Sequence, residues 1–376
     1  MDEFPGMFAA WRVIHLESRE VIDAIVAADH RGPSPALTKA LTGWRGASYW
    51  ADRAKTRLVL VRATSEDAHR WWLHVTLFVV TILCSMAAGA ALAGVWYPTG
   101  HPGIAGGLQS AYEFLVGTFH GDWRLFLTGW SFALPLLGIL VVHEYGHYIA
   151  ARRYGIDTTP PFFIPVPPTL SPIGSLGAFI RLRSPVLDRR QLTDVGAAGP
   201  LAGFVVALGV LVWGYLTSER LPMDPGMARS YVVWAGSDIF LGESLLTRAL
   251  RDWLLPGNTA VHLSGPAFAG WVGCFITGLN LLPLSQLDGG HVMHGLLGRR
   301  QGALALLTIG GLLYLSRFSS SWLVWVVMTF LIGGGRWTHP SVMIPDRPVP
   351  ASRRWVGLAC VAVFIATFVP IPFVDA

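Results

Sequence analysis

Apolar residues along this chain gather into runs too long for an ordinary strand or surface helix. They cover 71–96, 125–151, 194–216, 264–284 and 355–373, with two shorter runs at 302–316 and 321–334. A helix rising about 1.5 Å per residue needs about 20 apolar residues to cross about 30 Å of hydrocarbon. The longer runs therefore predict transmembrane helices. The two shorter ones, joined by the polar turn around Arg317, predict a helical hairpin whose full crossing stays open. Residues 1–70 are the one extended polar part, with turn signals at Arg31-Gly32-Pro33-Ser34-Pro35 and a strand-like run at Leu58 to Val61. They predict a small soluble N-terminal region. The first long apolar run begins only near Trp71, and the acidic start MDEFPGMF does not read as a secretion signal.

The stretch 158–190 breaks both patterns. Six prolines between Pro160 and Pro172 forbid a helix, yet Phe162, Phe163, Ile164 and Phe179 keep it apolar. Backbone that is not helical is tolerated at membrane depth only where protein or a water-filled cavity satisfies it. Alternation at Ser175-Leu176-Gly177-Ala178-Phe179-Ile180 predicts a short strand or hairpin. Two readings follow. One is a loop resting on lipid headgroups; the other is a re-entrant element lining a site, whose open strand edge could pair with an extended peptide.

Composition agrees with a membrane protein. Charged residues are 14% of the chain, against about 25% in an average soluble domain. The net charge of +5 comes from arginines beside apolar runs, with Lys39 and Lys55 the only lysines. That distribution is a topology signal and argues against nucleic acid as a partner. Ten basic residues in 1–70 put the N-terminus in the cytoplasm, which leaves 97–124 outside with Arg124 alone. Cys84, Cys274 and Cys360 are scattered through apolar stretches and form no disulfide framework.

The chemistry-bearing feature is His143-Glu144-Tyr145-Gly146-His147, an H-E-x-x-H inside an apolar helix. Residues four apart share a helix face, so both imidazoles can meet one metal. Glu144, beside the first of them, can take a proton from a water that the metal activates. Ionisable groups at this depth are costly, which marks each as a functional candidate. A bland alternative is a helix end snorkelling into headgroups, with Arg152 and Arg153 just beyond. Two histidines do not complete a zinc site, and Asp288 is the best third ligand. It directly follows an apolar run, with a break at Pro283 and the bend of Gly289-Gly290 to bring its carboxylate inward. An Asp before two glycines can equally be a plain turn.

Together HEYGH at 143–147 and NLLPLSQLDGG at 280–290 resemble the site-2 protease family of intramembrane zinc metalloproteases. Gly199-Pro200-Leu201-Ala202-Gly203 is similar to that family's glycine motif, and the likeness covers roughly 125–295. The Pro-rich stretch looks closest to the branch found in cyanobacteria, chloroplasts and various bacteria. The resemblance implies one zinc per chain held by His143, His147 and Asp288, with Glu144 as general base. It implies that Asn280 contacts substrate or steadies a developing oxyanion. It also implies a membrane-spanning protein substrate. Peptide bonds in a membrane helix are shielded by their own hydrogen bonds, so such a substrate must unwind locally, and the 160–183 segment, at Gly177, Ala178 and Phe179, is the expected place to hold it extended. His291 and His294 read as loop or interface histidines, and His74, His101, His120 and His339 have no supporting pattern.

The expected fold is an all-α polytopic membrane protein of about six to seven transmembrane segments, with a three-span catalytic core and a re-entrant hairpin or short β element. Its expected parts are a cytoplasmic region at 1–70, a first span and external loop at 71–124, the core at 125–295, and peripheral helices at 296–376. The bacterial cytoplasmic membrane is the expected location, with the lipid bilayer as partner. Three other classes compete: a soluble hydrolase of the same motif, a polytopic metal transporter, and a non-proteolytic scaffold or chaperone of the same fold. A transporter favours internal repeats, and none is visible.

Overall fold

In the computed structural model, the described residues are 4–374 except 17–18, 33, 45, 53, 64–69, 96–104, 107–108, 110–111, 114–115, 117–123, 169, 184–185, 223–228, 235, 258, 340–341, 343–344 and 346. They fall into two compact units. One is built on the polar first seventy residues; the other runs from Trp71 onward, apart from short pieces at 155–157 and 182–185.

The first unit is a four-stranded antiparallel sheet. Its elements are β1 (Phe8–Leu16), β2 (Arg19–Val26), α1 (Pro35–Gly43), β3 (Ala47–Trp50) and β4 (Arg57–Ala63), with sheet order β1-β2-β4-β3. Period-two alternation sends Ile22, Ala24 and Val26 of β2 and Leu58 and Leu60 of β4 to one face, where Leu37 of α1 and Trp44 cover them. Ser34 caps α1 by accepting from the Leu37 amide.

The second unit is organised by three helices: α2 (Trp71–Leu92), α3 (Arg124–Arg153) and α4 (Arg189–Leu216). They are the described helices long and apolar enough to cross a membrane. Small residues let them approach closely, as lipid-embedded helices require. Gly89 of α2 lies on the backbone of Gly129 in α3, and Gly146 of α3 lies on Ala198 and Gly199 of α4.

Between α3 and α4 the proline-rich stretch forms a two-stranded antiparallel hairpin, β5 (Phe162–Pro165) and β6 (Ser175–Phe179). Pro165 and a bulge between Phe163 and Pro165 keep the hairpin short. It is fastened to α2 at two points. A ring nitrogen of His74 donates to the Pro161 carbonyl (3.1 Å), and Ser85 Oγ donates to the Ile173 carbonyl (3.3 Å).

After α4 come β7 (Glu219–Pro222), β8 (Ser230–Trp234), β9 (Ser237–Leu241), α5 (Leu245–Leu254) and β10 (Thr259–His262). The chain continues as α6 (Gly265–Asn280), α7 (Asp288–Leu297), α8 (Gln301–Leu315), α9 (Ser321–Ile332), α10 (Ser352–Thr367) and β11 (Phe373–Val374). The five strands form one sheet of order β11-β9-β8-β10-β7, with β8 and β10 parallel. Helix α6 packs Phe268, Trp271 and Val272 against Phe132, Leu136 and Ile139 of α3 and Ala207 and Leu211 of α4.

This architecture corrects the all-α expectation. Two of the three sheets arise in 1–70 and in 217–263 joined by β11, where some strands pair with their neighbours in sequence and others pair across longer separations. The loop expected at 97–124 lies almost wholly outside the described residues. Of the seven apolar runs, three become helices of spanning length. Helices α6, α8, α9 and α10 have 16, 15, 12 and 16 residues. At about 1.5 Å per residue these fall short of about 30 Å of hydrocarbon.

Candidate metal centre

Helix α3 places His143, Glu144 and His147 on one buried face, with exposures of 4%, 5% and 6%. Their partner arrives from far along the chain. Helix α6 ends at Asn280, the chain turns through Pro283 and through Ser285 at φ 39°, and Asp288 begins α7. Gly289 and Gly290 press against the carbonyls of Leu281, Leu282, Leu284 and Ser285, so a side chain at either position would push the turn apart. That tightness is why the two glycines follow the aspartate.

The three side chains converge. His143 Nε2 lies 3.2 Å from Asp288 Oδ2 and 3.2 Å from His147 Nε2, and His147 Nε2 lies 3.3 Å from Asp288 Oδ1. Two ligands at about 2.0–2.1 Å from a tetrahedral zinc sit about 3.3 Å apart, close to each of these three separations, and with one ligand atom taken from each residue all three lie within 4.8 Å of one another. The donor set, two imidazole nitrogens and a carboxylate oxygen, suits zinc. His147 Nδ1 donates to the Val195 carbonyl at 2.7 Å, which leaves Nε2 unprotonated in the neutral ring and aimed at the triangle. The residues present fit the ion. Among the described residues this is the one group of three or more His, Cys, Asp or Glu arranged to hold a metal.

Helix α4 forms the floor. A Cβ at Gly199 would run into the His147 imidazole, and one at Gly203 would sit 3.0 Å from His143 Cβ. The G-P-L-A-G stretch therefore clears space for both histidine rings. Asn280 brings its amide Nδ2 to 3.3 Å from His143 Nε2. Strand β6 packs against α3, the helix that carries Glu144. Gly177, Ala178 and Phe179 lie on β6, which among the described residues pairs only with β5. Gly177 takes φ 100°, a conformation that favours glycine, and Phe179 stacks on Phe162 across the hairpin.

The sequence reading brought together His143, Glu144, His147, Asn280 and Asp288, and the structure gathers all five. His291 and His294 lie further along α7. His291 Nδ1 donates to the Leu287 carbonyl at 2.8 Å, and both rings pack against His339 outside the donor triangle. His101 and His120 lie outside the described residues. Sequence reasoning missed Val195, because a backbone acceptor has no side-chain signature. It also missed His74, whose partner carbonyl is 87 residues away.

Comparison with known proteins gives concordant matches. Residues 131–316 match the model of peptidase family M50. The chain is 30% identical over 278 residues to probable zinc metalloprotease EGY2, chloroplastic, of Arabidopsis thaliana, covering 72% of this chain and 45% of that protein. It is 34% identical over 185 residues to probable zinc metalloprotease EGY1, chloroplastic, of the same plant, covering 47% of this chain and 31% of that protein. A third relative, probable zinc metalloprotease EGY3, chloroplastic, of Oryza sativa subsp. indica, is 27% identical over 263 residues, 64% of this chain and 42% of that protein. The chain thus spans less than half the length of these relatives. No solved structure matches. The matched core carries the H-E-x-x-H helix, the glycine floor and the aspartate turn in one stretch, and the chain belongs to peptidase family M50, the site-2 protease family.

Proposed function

We propose that the chain is a zinc-dependent endopeptidase that cuts membrane-spanning proteins within or beside the bilayer. The observation that carries this reading is the buried triangle of His143, His147 and Asp288, with His147 held in one tautomer by Val195. These three residues would hold one zinc ion, which supplies a Lewis acid that acidifies water and polarises a carbonyl.

The remaining chemistry belongs to the chain. Glu144 accepts the proton of the attacking water and passes it to the leaving amine. The Asn280 amide donates to the oxygen on which negative charge develops. Strand β6 offers its unpaired edge, through Gly177, Ala178 and Phe179, to a substrate segment unwound from its helix. An extended segment there would lie beside α3, the helix that carries Glu144.

In this reading residues 125–295 are the catalytic core and 296–376 add peripheral helices. The chain passes the membrane six or seven times, with α6 and the C-terminal helices crossing at less than full hydrocarbon length or continuing through non-helical ends. The arginine distribution keeps 1–70 in the cytoplasm, in a bacterial cytoplasmic membrane.

The test is Glu144→Gln in the full chain, reconstituted with a single-span reporter substrate. Cleavage should fall by about 100-fold or more while zinc content stays that of the unaltered protein. Undiminished cleavage would remove Glu144 as the base. Transport of zinc across the vesicle without cleavage would turn the reading toward a transporter.

A further inference from the structure

At the end of α7 remote from Asp288 lies a second polar cavity, of about 820 Å³, that the peptidase chemistry does not use. Its wall carries Arg189, His294, Arg299, Gln301, Thr338 and His339, and among the described residues none that lines it is acidic. Four groups that are or can become cationic thus face one space. Burial and the neighbouring Arg189 guanidinium hold the His294 imidazole below its ordinary range.

The usual way to balance such a set is a nearby carboxylate, and the described one that adjoins Arg189 in sequence is already engaged. Asp188, next to Arg189, accepts from Arg347 at 2.8 Å and from the Gln191 amide at 2.9 Å. Among the described residues neither Arg189 nor Arg299 forms a salt bridge, and the buried Nε of Arg189 has no hydrogen-bond partner. An unpaired donor on a partly buried guanidinium costs free energy unless something outside the chain accepts from it. Gln301 is different: it donates to the Pro283 carbonyl and accepts from the His339 amide, so it braces the wall and is not available to a ligand.

We infer that this cavity is a binding site for a phosphate group. The chemistry fits a phosphate better than a carboxylate. A tetrahedral group with three or four oxygens can accept from two guanidinium forks and the Thr338 hydroxyl together, and arginine matches phosphate bidentately. The volume lies within the about 300–1,000 Å³ typical of small-molecule sites, so more than an inorganic ion fits. Leu297, 43% exposed, borders the cavity and gives an apolar neighbour to whatever carries the phosphate. That carrier is either an anionic lipid headgroup or a soluble phosphate ester. Because His294 and Asp288 share α7, a ligand here braces the helix that begins with a member of the metal triangle.

The experiment uses the full chain in detergent with two probes, phosphatidic acid followed by native mass spectrometry and inorganic phosphate followed by equilibrium dialysis. Phosphatidylcholine is the control lipid. Arg299 is exposed, so Arg299→Gln leaves folding intact; Arg189→Gln is the second variant. One probe should bind one-to-one, and its affinity should fall about tenfold in Arg299→Gln and at least as much in Arg189→Gln. Binding of phosphatidic acid alone assigns a lipid headgroup, and binding of inorganic phosphate assigns a soluble ester. Binding no stronger than phosphatidylcholine for both probes, or affinity unchanged in Arg299→Gln, overturns the site.

Discussion

His147 on α3 donates from Nδ1 to the carbonyl of Val195 on α4, 2.7 Å away, so the ring that would meet a metal is oriented by the backbone of the neighbouring helix. The contact requires the helices to lie close, and glycine makes that possible. A Cβ at Gly199 would overlap the His147 ring, whereas Gly209, on the same helix, has nothing within 4 Å. Gly199→Ala should therefore displace the imidazole and weaken zinc binding, with an overpacking cost of about 1–3 kcal/mol. Gly209→Ala should leave both unchanged. Zinc retention against a graded chelator, measured beside the melting temperature in detergent, separates the two variants.

In the proposed reaction Asn280 would act on the charge that develops. Its amide lies 3.3 Å from His143 Nε2, near the donor triangle without completing it. Asn280→Ala should lower kcat for a membrane reporter by about 10²–10³, as loss of one oxyanion donor does, with zinc content retained. An equal loss of zinc would make the residue a support for the metal site.

The hairpin gives a prediction at one residue. Gly177 holds φ 100° in β6, so Gly177→Val demands a backbone conformation that a β-branched residue resists. Cleavage should fall with a rise in KM while zinc content is preserved, because the edge proposed to receive substrate is distorted and the proposed metal ligands are untouched. Steady-state kinetics on the reporter in proteoliposomes reads the split.

How legible this was depended on where each signal lies. The H-E-x-x-H helix carries its chemistry in side chains at fixed spacing, so His143, Glu144 and His147 could be named from local pattern; Asp288 was a candidate by pattern and became a ligand only through the family resemblance. The floor at Gly199 and Gly203 was visible only as a motif; its reason, clearance for two imidazoles, needs the packing of α4 on α3. The sheets were harder. Strand β10 pairs with β7 at Val261–Arg220 and with β8 at Val261–Ser230, contacts spanning tens of residues that no local periodicity reports. Hairpin β8–β9 was within reach, because short runs holding β-branched and aromatic residues flank Gly236 at φ 81°. Helix lengths were overestimated where an apolar run continues past the helix end, as at Leu281-Leu282-Pro283-Leu284.

The N-terminal sheet has its own pH response. Asp23 accepts from Arg57 at 2.7 and 2.5 Å and from Arg12 at 3.2 Å. The Arg57 hydrogen bond, outweighing partial burial, holds its carboxyl below the usual range. A lowered folded-state pKa gives stability that is present above about pH 4 and lost as pH falls through the folded value. Both arginines are more than half exposed, so screening limits the effect to about 1 kcal/mol. Hydrogen exchange of β2 and β4, corrected for intrinsic rates, should accelerate between pH 5 and pH 3 in the unaltered chain and respond less in Asp23→Asn.

The most direct test of the metal assignment is zinc stoichiometry of the detergent-purified full chain, measured beside Asp288→Ala. Close to one zinc per chain is expected, lost or greatly weakened in the variant, because His143 and Asp288, 145 residues apart, would then belong to one site. A carefully prepared unaltered protein without zinc, or a variant that keeps its zinc in full, would contradict it.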